Sequence, residues 1–413
     1  MRSRRKLILL VNAALVVVLV LAMSAVACSD GDDQVVKKEV KVGFGAAFLG
    51  AGAASTNPGS QGTIDYMRFV NDEGGIDGVK LNVLWRECSA TAGKYIPAFA
   101  ALADEGIIGH VNYGGLTELA PRVQKEEIPA LLWGKMSAQA FNYPTQWAFT
   151  QSAGYAPEFA RIMKWVVEDY WTEARPCKVG FIGAMLESSY SSLENAERDA
   201  SQLGLEWVGS EMVPLVGLID CSTELYRLKD KGADVILTCG LGAAMVVMVE
   251  DYARLDFMGE GIQPLQIMGV LDQGVISVVG DSADGWLVYM EWPTPDFADP
   301  NYANIFQAGQ EYHGWSKTDV SQTYIAGWVT QMSFVEAIRI ALDEVGFENL
   351  NRSALRDAIF SITNYDTGIL PPMTITEDRP FVNPGGYIKE VQEGELVTKS
   401  EFLKPYYYIE RTQ

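Results

Sequence analysis

Six short stretches of this sequence hold residues that could grip a small molecule, and none carries a complete catalytic set. They are residues 45–52, Asn112-Tyr113-Gly114-Gly115, Trp133-Gly134-Lys135-Met136-Ser137, Glu187-Ser188-Ser189-Tyr190, Gly240-Leu241-Gly242 and Leu271-Asp272-Gln273. Each follows a short apolar run and leads into another element. Where a strand gives way to a helix, the helix start offers unpaired backbone N–H groups and the positive end of its dipole, which suit an anion. Small residues there let a ligand approach the backbone closely. Tyr113, Trp133 and Tyr190 add ring faces for an apolar body or a cation. The candidate contacts are therefore Asn112, Tyr113, Gly114, Gly115, Trp133, Met136, Ser137, Glu187, Tyr190 and Asp272. Each also has a plainer reading. A Gly-rich loop is a tight turn, Asp272 caps the helix after it, Lys135 is solvated, and Tyr113 and Tyr190 are capping or core aromatics. The weight comes from their joint placement at strand ends.

Covalent chemistry has little to work with. The pattern G-x-G-x-x-G fails at Phe48, and no Lys-Ser/Thr follows the glycines, so neither a dinucleotide fingerprint nor a P-loop is present. His110 and His313 are the only histidines, too few for a zinc site or a His-based triad, and there is no G-x-S-x-G elbow. No cofactor or metal is expected. Plentiful Asp and Glu leave a carboxylate-pair hydrolase open. Cys88, Cys177, Cys221 and Cys239 lack C-x-x-C spacing; they allow three full disulfide pairings or four buried free thiols.

These loops need elements to hold them. Apolar runs at 40–44, 81–85, 107–111 and 130–133 alternate with amphipathic stretches at 63–73, 95–103 and 116–125. Residues 147–150 read as a crossing strand and 155–171 as a long helix. The beat then restarts, with strands at 178–182, 205–213, 235–239 and 265–268 and helices at 191–203, 223–231 and 243–255. Alternation of this kind argues for α/β lobes built on doubly wound parallel sheets. Beyond, 286–291 reads as a strand, 301–312, 323–344 and 353–361 as helices, and 373–376, 387–391 and 396–400 as strands, with Gly394 in a hairpin turn. The expected division is 40–150 plus 290–365 as one lobe and 151–289 plus 366–413 as the other, with three crossings forming a multi-strand hinge.

The N-terminus reads as an address. Arg2, Arg4, Arg5 and Lys6 precede an apolar run from Leu7 to Ala27, ending in Ala25-Val26-Ala27-Cys28. This is the pattern of an export signal. It resembles a bacterial lipobox, with Ala25 where Leu is usual, in which Cys28 is lipidated; the alternative is an uncleaved anchor. Both put the remainder outside the cytoplasm, anchored to the outer membrane face or periplasmic, with residues 28–39 as linker. Removing residues 1–27 takes away four positive charges and no negative ones, so the net charge of −21 becomes −25. Such acidity repels phosphate backbones and excludes nucleic acid as a partner. About 375 folded residues exceed a single core.

Several segments together resemble a known family. They are Val40-Lys41-Val42-Gly43, Asn71-Asp72-Glu73-Gly74-Gly75-Ile76-Asp77-Gly78, Ala120-Pro121-Arg122-Val123 with Ile128-Pro129, Lys178-Val179-Gly180-Phe181-Ile182, Lys231-Gly232-Ala233-Asp234-Val235-Ile236 and Gly280-Asp281-Ser282-Ala283-Asp284-Gly285. In this order, over roughly residues 40 to 400, they resemble the type I periplasmic binding proteins of branched-chain amino acid ABC transporters. That resemblance implies a non-enzymatic receptor that captures a small solute between lobes and passes it to an ABC permease driven by ATPase subunits. It implies contacts at Asn112 and Tyr113, where the family has hydroxyl side chains, near Met136 and Ser137, and at Asp272, with Glu187 a second acid. With the hydroxyl donors replaced, an amino acid, an amide and an aromatic carboxylate all stay open as solutes. A receptor feeding a separate signalling partner is the alternative.

Overall fold

The computed structural model describes residues 38–49, 53–89, 93–114, 116–135, 145–383 and 385–404. The readings made for Cys28, Gly115, Met136 and Ser137 lie outside them. The first run comprises β1 (Glu39–Ala46), α1 (Ala53–Asp72), β2 (Lys80–Glu87), α2 (Tyr95–Asp104), β3 (Gly109–Tyr113), α3 (Leu116–Glu126), β4 (Ala130–Lys135) and β5 (Ala148–Ser152). The second comprises α4 (Tyr155–Trp165), β6 (Lys178–Ala184), α5 (Glu187–Leu193), α6 (Ala196–Gln202), β7 (Glu206–Val213), α7 (Ser222–Asp230), β8 (Val235–Cys239), α8 (Gly242–Arg254), β9 (Gln263–Gln266), α9 (Gln273–Val279) and β10 (Leu287–Met290). Then follow α10 (Ala303–His313), α11 (Gln322–Val345), α12 (Arg352–Ser361), β11 (Phe381–Asn383), β12 (Tyr387–Gln392) and β13 (Glu395–Thr398).

Two sheets result. The first has the order β11-β5-β4-β3-β1-β2, parallel throughout. The second has the order β13-β12-β10-β9-β8-β6-β7 and is mixed, because β12 runs antiparallel to both its neighbours. Helices cover both faces of each sheet, so strand residues of either parity are buried and the strands read as apolar runs. Phe44, Val111, Leu131 and Phe149 pack with Met67 of α1, Phe334 and Ile338 of α11 and Leu355 of α12. Ala130 and Leu132, of the other strand face, pack with Phe99 of α2 and Leu119 and Val123 of α3. In the second lobe Ile182, Ile236 and Val288 meet α7 and α8, while Val179, Phe181 and Leu237 meet α4 and α6.

Several elements depart from the sequence reading. Helix α1 begins ten residues before Thr63. Pro58, Gly59 and Gly62 argue against helix by propensity, but here α1 packs backbone to backbone on α11. A Cβ on Gly62 would lie 2.1 Å from the Tyr324 carbonyl oxygen, and one on Gly327 would lie 2.2 Å from that of Gly59. The long helix of 155–171 is α-helical only to Trp165 and continues as a π-helical segment, Val166–Tyr170. The stretch 191–203 divides, with α5 starting at Glu187 and α6 separate. Residues 373–376 form no strand; Met373 and Thr376 make isolated bridges to Tyr365 and Arg379. Strand β11 joins the first sheet, although 366–413 was read as wholly second-lobe. It adds in parallel to β5, which otherwise leaves that sheet edge open. In the β12–β13 hairpin Glu393 and Gly394 have φ of 52° and 77°, as a type I′ turn requires.

The chain crosses between lobes three times, after β5, after β10 and after β11. Strands β5 and β11 end side by side at Ser152 and Asn383. Strand β12 begins at Tyr387 opposite Met290, where β10 ends. Asn383 Nδ2 donates to the Glu291 carbonyl at 2.7 Å, binding the second crossing to the third. Gly386 passes so close that a Cβ would lie 2.6 Å from the Met290 carbonyl oxygen. The crossings therefore join the carboxyl edges of the two sheets.

His110 on β3 is fully buried. Its ring sits edge-on to Phe99, Nε2 faces Asn112 Oδ1 at 3.3 Å, and Nδ1 has no partner among the described residues. Burial lowers its pKa from 6.5 to about 4. The unfolded chain thus takes up this proton first as pH falls. Stability from neutral His110 is complete above about pH 6.5 and is lost on the way down to about pH 4, on the order of 3 kcal/mol in all. Urea unfolding at pH 7.5 and 4.5 should show a smaller acid loss in His110→Gln than in the parent; equal losses would remove His110 as the cause.

Candidate functional site

Strand order locates the crevices. In the first sheet the chain goes from β1 outward to β2 and then back to β3 on the other side of β1; in the second it goes from β6 to β7 and then to β8. At such switch points successive loops diverge to opposite faces and leave a crevice outside the carboxyl ends. One crevice thus lies between the Ala47–Leu49 loop and Tyr113-Gly114. The other lies between Met185–Glu187 and Gly240–Gly242.

The first wall is built on a ring pair. Tyr113 and Trp133 are register neighbours on β3 and β4, and their rings stack with centroids 4.6 Å apart. Gly59 of α1 sits against both, since a Cβ there would lie 2.6 Å from Tyr113 Cε2 and 3.1 Å from Trp133. Tyr113 is half-buried, and burial, reinforced by the Glu291 carboxylate and by Tyr95, raises its phenol well above the usual range, so it is a neutral donor. Trp133 is buried beneath it, and its Nε1 has no hydrogen-bond partner among the described residues.

Asn112 corrects the sequence reading. It was offered as a ligand contact, but its side chain is fully buried below the loop. Its Nδ2 donates to the Gly114 carbonyl at 2.7 Å, and Gly45 leaves it room, since a Cβ there would lie 1.6 Å from Asn112 Oδ1. Gly114 has φ of 82°, and a Cβ on it would meet the Tyr95 hydroxyl at 2.9 Å. The loop after β1 is held by residues that motif reading passed over. Ala47 N donates to Ser60 Oγ at 3.1 Å, Thr56 Oγ1 donates to the Ala47 carbonyl at 2.8 Å, and Phe48 N donates to Glu87 Oε2 at 3.1 Å. Thr56 and Ser60 were missed because α1 was read as starting after them.

In the second lobe Glu187 and Tyr190 are exposed on α5, Tyr190 with 55% of its surface free. Asp272 caps α9, accepting from Val275 N at 3.1 Å, as its plainer reading held, and burial raises its carboxyl pKa. Gln266 Oε1 accepts from Met268 N and Gly269 N, which stiffens the loop leading to Asp272. Cys88, Cys177, Cys221 and Cys239 are all buried, and none of the three pairings forms among them. Burial pushes the Cys177 thiol up to about 12 and raises that of Cys221 as well. Among the described residues no cluster of three or more His, Cys, Asp or Glu could hold a metal.

Residues 39–395 match the family described as periplasmic binding protein. The chain belongs to that family. No curated protein matches the sequence. Solved structures of such binding proteins share the fold at low identity. A branched chain amino acid ABC transporter protein from Thermus thermophilus with bound valine is 19% identical with a TM-score of 0.78, covering 89% of this chain and 97% of that one. A fatty acid ABC transporter substrate-binding protein from Thermomonospora curvata is 16% identical with a TM-score of 0.74, covering 91% and 95%. A solute binding protein of an ABC transporter from Rhodopseudomonas palustris BisB5, in complex with 3,4-dihydroxy benzoic acid, is 17% identical with a TM-score of 0.70, covering 89% and 98%. The two lobes described above are those of the type I periplasmic binding protein fold.

In this periplasmic binding protein the ring pair depends on the missing Cβ at Gly59. Gly59→Ala should cost about 1–3 kcal/mol through overpacking, despite the better helix propensity of Ala. It should also alter the near-ultraviolet circular dichroism of the Tyr113–Trp133 pair. Urea unfolding and that spectrum check it; an unchanged spectrum with unchanged stability would mean the rings do not bear on Gly59.

Proposed function

We propose that this protein is the extracytoplasmic substrate-binding component of an ABC importer. It takes a small solute between its lobes and delivers it to a membrane permease driven by ATPase subunits, with no catalysis of its own. One observation carries the reading. Three crossings lie side by side and join the carboxyl edges of two sheets of like order, so the switch-point crevices belong to the edges that the hinge brings together. A hinge of a few residues lets such lobes close on contacts that exist only in the closed state. Cys28 carries the lipid that holds the protein at the outer membrane face.

The solute is an amino acid, an amide or an aliphatic or aromatic carboxylate. Bound valine and bound 3,4-dihydroxy benzoic acid in relatives of the same fold agree with that range. Tyr113, stacked on Trp133, receives an apolar or aromatic body, with Tyr190 on the opposite lobe. The backbone N–H of Gly115 receives a carboxylate, with Met136 and Ser137 further candidate contacts, since Gly114 N already donates to the Trp133 carbonyl at 3.1 Å. Glu187 or Asp272 meets an ammonium where the solute has one. Asn112 positions the Gly114 loop.

A thermal-shift screen with amino acids, amides, fatty acids and aromatic acids tests this. A solute at 100 times its Kd stabilises by about 2.7 kcal/mol, a readable rise in melting temperature. Tyr113→Leu should weaken the best solute at least tenfold and leave the free protein folded. No shift with any class would sink the receptor reading, and turnover of a bound solute would replace it with an enzyme. Unchanged affinity in Tyr113→Leu would take Tyr113 out of the site.

A further inference from the structure

A lysine is shut inside the hinge. Lys389 lies on β12, opposite Val288 of β10 on one side and Thr398 of β13 on the other, and it is fully buried. Its Nζ donates to Thr294 Oγ1 at 2.6 Å, its one hydrogen-bond partner among the described residues.

Thr294 belongs to the second crossing, and the first lobe holds that stretch. Trp292 is buried among Tyr302, Tyr324 and Trp328 of the first lobe. Gln322 Nε2, at the start of α11, donates to the Trp292 carbonyl at 2.7 Å and to the Pro293 carbonyl at 3.1 Å. One residue further on, the lysine of the second lobe takes hold. The Lys389–Thr294 bond is therefore a side-chain tie between the lobes at the place where they turn, and rotation there separates its two atoms. Thr294 is itself exposed, so the amine lies one residue below the water.

No charge on the neighbouring elements balances an ammonium at this point. Val288, Met290 and Val391 share the lysine's side of the sheet and pack with Ile276 and Val279 of α9. The titratable groups around it are Tyr387 on its own strand, Glu291 and Asp296 on the second crossing and Asp272 at the start of α9. Glu390, Glu395 and Lys399 alternate to the sheet's other side, where Lys399 pairs with Glu390 at 2.6 Å. Burial alone lowers the Lys389 pKa, from 10.5 to about 7. An ammonium sealed from water with one hydroxyl for company is costly, and a neutral amine is not.

We propose that the Lys389–Thr294 tie couples rotation of the lobes to a proton: the arrangement described here holds the neutral amine, and turning at the second crossing releases it into water as an ammonium. The turned arrangement binds the proton with the ordinary lysine pKa of 10.5, the described one with a pKa of about 7. The ratio of turned to described therefore rises up to about tenfold for each pH unit lost between those values and levels off below the lower one. The coupling rests on the hinge and not on which solute the crevices take.

Small-angle X-ray scattering of the full chain without solute, from pH 6 to pH 10 at constant ionic strength, tests it. The parent is compared with Lys389→Met, and with Lys389→Gln, which keeps a hydrogen-bonding group should Met disturb the packing. The parent's profile should change steadily from pH 10 to about pH 7 and stay level below. Fitted to two arrangements, its ratio should shift up to about tenfold per pH unit. The variants, with nothing to titrate at this position, should keep one profile throughout, which the parent approaches at pH 10. A parent profile that does not move between pH 10 and pH 7 would overturn the coupling. So would variants that move as much as the parent, since other groups would then be the cause.

Discussion

A single buried hydrogen bond, from Asn383 Nδ2 to the carbonyl of Glu291, holds together the place on which the rest of the architecture turns. It joins the chain leaving β10 to the chain leaving β11, and β11 in turn ends beside β5. Three strands thus finish at one point, and each passes to the other lobe from there. Parallel strands carry their helix-starting loops at the same ends, so binding the sheets at those ends sets the loops of both across one gap. Joined at any other edge, the same two sheets would have crevices of no common use.

A second constraint shapes the wall of the gap. Helix α1 approaches α11 through Gly59, Gly62 and Gly327 so closely that a methyl group on Gly62 or Gly327 would collide with the opposing backbone. The approach fixes the height of α1 over the sheet. It places Thr56 and Ser60 where they satisfy both backbone groups of Ala47. The bare face of Gly59 also leaves room for the Tyr113–Trp133 stack. Packing between helices and the shape of the candidate wall are one feature, and the small residues serve both.

Below the surface the wall rests on committed polar groups. Asn112 spends its amide on Gly114, Glu87 accepts from Phe48 N, and Gln266 accepts from two amides of its loop. A buried polar side chain with its partners met is costly to disturb, so these residues hold loops in place. Above them the ring of Tyr113 is half-buried, and Glu187 and Tyr190 of α5 are exposed.

The alternation of apolar runs and amphipathic stretches is local, and so the sequence by itself determined the α/β class, two successive sheets, most strand positions and the turn at Gly394. The place of Tyr113 at the end of β3 was also readable, because a strand end is marked by where an apolar run stops. Three things belonged to the tertiary structure alone. The first turns of α1 were hidden because its glycines answer to α11, hundreds of residues away, and not to helix propensity. Strand β11 was misassigned because three residues carry no period, and only the open edge of β5 says where they pair. Asn112 turned inward because the vacant Cβ position of Gly45, on the neighbouring strand, made the space. In each case the deciding atom lies far along the chain, where no local pattern reaches.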